Sequence, residues 1–152
     1  GKLYAVDEIV MYGSNTDEMV AEIDERYPTR NIIVYPDPAS RQRKTSAGGR
    51  TDLSILQNAG YSVKAKKNHA LVRDRINAVN SRLLSSDGER HLYISPKCKQ
   101  TIKSLERQTY KEGTSQPNKD GFDHMNDALG YLVEYLFPVR TEYDTPQPTR
   151  WT

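Results

Sequence analysis

Aspartates in two short segments of the chain are of a type and spacing that could hold a hard cation. Asp37 lies in Tyr35-Pro36-Asp37-Pro38-Ala39, and the other two open and close Asp123-His124-Met125-Asn126-Asp127. Carboxylate oxygens from separate elements suit Mg²⁺ and Mn²⁺, and Mg²⁺ keeps several waters, so few protein ligands suffice. Two such ions about 4 Å apart activate a water and stabilise the leaving oxygen of a phosphodiester. The prolines around Asp37 stiffen the backbone and remove two amide donors, which argues against its carboxylate being consumed by a local turn. Asp before Pro also starts turns, and the pattern leaves the two readings evenly balanced. Asp123 and Asp127 are four apart and share a face on a helix. Asp123 is also a good N-cap, whereas Asp127, one turn further in, has no comparable structural role. A lone histidine such as His124 near a helix start is more often a surface group, or a neighbour of metal ligands, than a ligand.

Other chemistries find little support. The chain has no GxxxxGK[ST] phosphate loop, no HExxH zinc helix and no GxSxG nucleophile elbow. Cys98 is the only cysteine, which excludes an intrachain disulfide and a cysteine-based zinc cluster. Its place on an apolar helix stripe reads as core packing. Basic residues gather in two stretches: Arg41, Arg43, Lys44 and Arg50 after Asp37, then Lys64, Lys66, Lys67, Arg73 and Arg75. Such groups can track a phosphate backbone without reading its sequence. A solvated charged loop explains either stretch equally well by itself; the first gains weight because it adjoins Asp37. A net charge of +2 is too small to establish a nucleic-acid partner.

The elements that must position these groups alternate between strand and helix. Residues 2–12 are apolar and aromatic enough for a strand. A helix follows, with Thr16 as N-cap, Asp17 and Glu18 in its first turn, and Pro28 closing it. The run from Asn31 to Tyr35 suits a strand buried on both faces, with Asp37 just beyond its carboxyl end, where open α/β sheets bind ligands. A helix over 51–59, stopped by Gly60, leads to a strand over 61–65. A third helix, 69–84, presents Val72, Ile76, Val79 and Leu83 on one face and keeps Arg73, Arg75 and Arg82 off it. A strand over 91–95 and a helix carrying Cys98, Ile102 and Leu105 come next, then a polar loop over 112–120. The last helix, 123–137, shows the clearest apolar stripe: Met125, Ala128, Leu129, Leu132, Val133 and Leu136. This is an α/β pattern. A length of 152 residues favours one domain, and residues 139–152 read as a flexible Pro/Thr-rich tail. With no signal-peptide pattern and no apolar run of about 18 residues, a cytosolic, membrane-free location is the expectation.

The segment Tyr35-Pro36-Asp37-Pro38-Ala39 resembles the second acidic motif of the nuclease domain of the large terminase subunit from tailed double-stranded DNA phages. Asp123 to Tyr131, Asp-His-Met-Asn-Asp-Ala-Leu-Gly-Tyr, resembles that family's closing motif. Thr51-Asp52, Gly60, Arg75-Ile76 and Pro96-Lys97-Cys98 fall at similar landmarks, and residues 1–9 resemble the last strand of the family's opening meander. The resemblance covers residues 1–138. It implies a ribonuclease H-like mixed sheet flanked by helices, lacking the opening strand or strands. It further implies a metal-dependent endonuclease that cuts concatemeric double-stranded DNA with little base specificity, using two Mg²⁺ or Mn²⁺ ions. Asp37 and Asp127 would be catalytic metal ligands, Asp123 a lesser ligand and His124 a close neighbour. Arg41, Arg43, Lys44 and Lys66 would grip phosphates. Implied partners are the portal protein and the small terminase subunit, in the cytoplasm of an infected bacterial host. The family's first acid, on an opening strand, has no match here. Asp7 and Glu8 are the nearest acids but belong to a different strand, and no ATPase motor is present. The expectation is a fragment of a longer polypeptide with an incomplete metal site. Two rivals stand beside it: a non-catalytic DNA- or protein-binding module on the same fold, and another ribonuclease H-like nuclease such as a junction resolvase.

Overall fold

The computed structural model describes residues 1–41 and 48–139. Arg43, Lys44 and the tail from residue 140 onward lie outside the described residues. The elements in chain order are β1 (Leu3–Ala5), α1 (Thr16–Arg26), β2 (Ile33–Val34), a 3-10 turn (Pro38–Arg41), α2 (Asp52–Asn58), β3 (Ser62–Val63), α3 (Val72–Leu83), β4 (Leu92–Ile94), α4 (Lys99–Arg107) and α5 (Asp123–Leu136).

The α/β alternation is as expected, but the sheet is not one continuous mixed sheet. The described strands form two separate parallel pairs, β1 with β4 and β2 with β3. The one antiparallel contact among the described residues is an isolated bridge between Tyr110 and Pro117. The strand expected over 2–12 stops at Ala5 because Asp7 and Glu8 are drawn into side-chain bonds. Asp7 accepts from the Tyr27 hydroxyl at 2.6 Å. Glu8 accepts from the Gln100 and Thr101 amides at 2.9 and 2.8 Å, capping α4 from a distance. Burial pushes the Glu8 carboxyl up, but these bonds outweigh it and hold it below its ordinary value. β2 is not buried on both faces either, since Ile33 is 49% exposed.

Local signals set the helices more faithfully. α1 is capped by Asn15, not Thr16: the Asn15 side chain accepts from the Glu18 amide, and Glu18 reaches back to the Asn15 amide, a reciprocal capping box. Thr51 and Ser54 form the same box at α2, and Gly60, with φ of +89°, turns the chain into β3. α5 begins at Asp123 with Phe122 as its cap residue and no side-chain cap bond, so Asp123 is not the N-cap.

The main core is the cluster of Ala78, Val79, Leu92 and Val133, with Leu3, Leu129 and Leu132 packed around it. It binds α3, α5 and the β1–β4 pair together. Ala128, expected on the α5 stripe, is exposed; Gly130 is buried instead. A smaller apolar group, Ile55, Leu56 and Tyr61, holds α2 and β3. There the Tyr61 hydroxyl donates to Asp24 at 2.6 Å and that of Thr16 to Asp52 at 2.6 Å, so polar ties supplement a thin core. Cys98 is fully buried, and burial pushes its thiol up, as a packing residue requires. No helix among the described residues is long and apolar enough to cross a membrane.

Candidate functional site

Asp37 follows β2 at its carboxyl end and enters the 3-10 turn. Its carboxylate is used locally after all: Oδ1 accepts from the Ala39 amide at 2.9 Å, and its carbonyl accepts from the Ser40 amide at 2.8 Å. The two prolines removed their own amides, but the next amide along the chain, that of Ala39, closes the turn. The side chain remains 46% exposed, and His69 Nδ1 stands 3.7 Å from the same oxygen.

Asp127 occupies the second turn of α5, and its partner is Arg75 on α3. Arg75 Nη2 donates to Asp127 Oδ1 at 2.6 Å, with the arginine side chain 9% and the aspartate side chain 38% exposed. The guanidinium lies over the Tyr131 ring, 4.6 Å from its centroid. Its stem crosses Gly130 so closely that a Cβ there would fall 2.6 Å from Arg75 Cγ. Glycine at that position is therefore what lets the arginine pass between the helices. Arg75, expected off the buried face of its helix, is in fact almost wholly buried.

Tyr131 joins the two acids. Burial pushes its hydroxyl up to about 12; Arg75 pulls the other way, while the charges of Asp37 and Asp127 both add to the rise. The hydroxyl is thus neutral at any physiological pH and lies within electrostatic reach of both carboxylates. Pro36 and Pro38, on either side of Asp37, line one cavity with Arg75 and Tyr131. Asp123 lines a cleft of about 240 Å³ with Asn126, Asp127 and Arg75. Asp123 Oδ1 and Asn126 Oδ1 are buried oxygens without a hydrogen-bond partner among the described residues. The Asn126 amide nitrogen is fixed on the Ser104 carbonyl at 3.0 Å, so its oxygen is left as the free acceptor.

The donor set suits a hydrated hard cation and not a dry cage. All candidate ligands are carboxylate oxygens, and one or two carboxylates are enough for Mg²⁺ with its waters. Among the described residues no group of three or more His, Cys, Asp or Glu side chains stands ready to enclose an ion. His124 is exposed.

Of the expected phosphate-binding residues, Arg41 is exposed and donates to the Ala65 carbonyl at 3.2 Å. Lys66 is committed inward, its ammonium paired with the buried Glu134 carboxylate. Three neighbours of the acids come from the structure: His69 beside Asp37, which the sequence does not single out, and Arg75 and Tyr131, which it places in a basic stretch and in the closing motif without a role beside Asp127. The one signal for Arg75 in the sequence was Gly130 inside the α5 pattern, a residue that is unfavourable in a helix interior and that here makes room for the arginine stem.

No curated protein and no solved structure matches this chain. A family model described as the terminase RNaseH-like domain matches residues 1–136, nearly the whole of the region over which the motifs run. The chain therefore belongs to the terminase RNaseH-like domain family.

Proposed function

We propose that this domain, the nuclease module of a terminase, is a metal-dependent endonuclease acting on double-stranded DNA, with Asp37 and Asp127 as its acidic pair. The observation that supports this reading best is that Pro36 and Pro38, which flank Asp37, line one cavity with Tyr131 and with Arg75, the partner of Asp127. Divalent ions bound by these carboxylates would activate water and stabilise the leaving oxygen. Asp123, with an unpartnered oxygen in the adjoining cleft, is the next candidate ligand. Arg41, exposed just after Asp37, and Arg43 and Lys44 beyond it, are placed in sequence to contact phosphates; contacts of that kind give little base specificity. DNA-packaging partners such as the portal protein and the small terminase subunit, in the cytoplasm of an infected bacterium, follow from the same reading.

The experiment is cleavage of linear and supercoiled duplex DNA by the chain in Mn²⁺, with Asp37→Ala and Asp127→Ala beside it. The reading expects cutting that EDTA abolishes and that each substitution lowers by at least about 100-fold, the scale of losing a group used in the transition state. Undiminished cutting by either variant sinks the assignment of that acid. A second reading, a DNA- or protein-binding module without catalysis, draws on the lack of a ready three-residue cation cage among the described residues. Duplex binding with no cutting in Mn²⁺ favours it.

A further inference from the structure

Arg75 is more than a structural tie to Asp127. Three α5 residues at i, i+3 and i+4 serve it: Asp127 supplies the acceptor at 2.6 Å, Gly130 the space, and Tyr131 a face 4.6 Å away. Residues so spaced lie on one side of a helix, so α5 presents a socket shaped for one arginine. The two partners differ in freedom. The Arg75 side chain is 9% exposed and cannot swing into solvent without opening the α3–α5 contact, whereas Asp127 is 38% exposed and can be approached from the solvent side.

We propose that Arg75 is a positioning residue that sets the cation affinity of Asp127. It is the resident counter-ion of that carboxylate, and a divalent ion loads there only against its charge. The inference rests on the reading of Asp127 as a metal ligand. A guanidinium stays charged at every accessible pH, so it cannot give way by losing a proton. Held over Tyr131, it remains beside the carboxylate when the ion arrives, and like charges a few ångströms apart near a protein surface repel. The arrangement keeps Asp127 oriented when no ion is bound and weakens the ion's hold on it.

Arg75→Met keeps most of the stem that fills the space over Gly130 and removes the charge. Mn²⁺ binding measured by calorimetry should be at least about fivefold tighter in Arg75→Met than in the parent chain. The same substitution in an Asp127→Asn background should change nothing. Equal or weaker binding in Arg75→Met overturns the proposal while leaving Asp127 as a ligand. A tightening that persists in the Asp127→Asn background overturns it too. Absence of Mn²⁺ binding in both proteins overturns this inference and the metal reading together. Should Arg75→Met not fold, the unaltered chain still decides. The Arg75 side-chain NH resonances should move on saturation with diamagnetic Mg²⁺, and unmoved resonances refute the idea.

Discussion

Asp127 stands on α5, a helix of 14 residues that also contributes fully buried Val133 to the main apolar cluster. Asp37 follows a strand of two residues, on the side of the molecule where Ile55, Leu56 and Tyr61 supply the apolar burial and hydroxyl–aspartate bonds from Tyr61 and Thr16 supplement it. The first acid is fixed through a buried guanidinium from another helix. The second is fixed by its own turn and stays nearly half exposed. Of the two, only Asp127 is tied into the packing. The contrast shows two ways of holding a carboxylate: by tertiary ion pair, where the carboxylate's place depends on helix packing, and by local backbone chemistry, where it largely does not.

The comparison can be broken at the level of the cores. Leu92→Ala, in the main cluster and 5% exposed, should cost about 2–5 kcal/mol in urea unfolding, the range for a truncated core leucine. Ile33→Ala, in β2 and 49% exposed, should stay within about 0.5 kcal/mol, as for ordinary surface changes. Similar losses at both would erase the difference between the two sides.

The acids themselves sharpen it. Asp127→Ala leaves the buried Arg75 guanidinium without its carboxylate, and the loss should be about 1–3 kcal/mol, the cost of stranding a buried donor. Asp37→Ala removes a half-exposed turn residue and should change the melting free energy by less than about 0.5 kcal/mol. Thermal unfolding of the two variants side by side tests this, and a larger loss at Asp37 would reverse the argument.

The smallest effect concerns Glu8, which ties the segment after β1 to the start of α4. Its carboxyl is lowered from the ordinary value of 4.5 in the folded chain, so the unfolded chain binds that proton more readily. Its contribution is therefore present above pH 4.5 and is lost as pH falls through the lower folded value. Glu8→Ala should cost about 0.5 kcal/mol at neutral pH, the lower end for a lost helix cap, and nothing once the parent carboxyl is protonated. A pH-independent difference between the two chains would assign the effect to packing rather than to the charge.

Much of the fold could be read from the residues because it is decided within a few positions. Apolar spacing and end signals locate the five α-helices of the described residues, and the Gly60 stop and the Thr51 start of α2 appear where they were expected. The misplaced cap at α1 was an error of one residue between two good capping types, Asn15 and Thr16. The strands were read too long because their apolar runs carry no information on how many partners they will find. With one neighbour each among the described residues, they hold two or three residues of ladder and leave Ile33 in solvent.

The candidate site divides along the same line. The sequence by itself determined which carboxylates stand at element ends, Asp37 beyond a strand and Asp127 within the opening of a helix, together with the family they belong to. It also pointed to Cys98 as a packing residue, and the side chain is buried. Only the tertiary structure decided that Arg75 turns inward to Asp127, 52 residues away, that Lys66 is used by Glu134, 68 residues away, and that the Tyr131 ring lies under the Arg75 guanidinium. Caps, turns and periodicity act over three or four residues and so leave a mark in the local order of types. An ion pair across helices depends on which faces meet, and a long cationic side chain carries no mark that tells a buried partner from a free one.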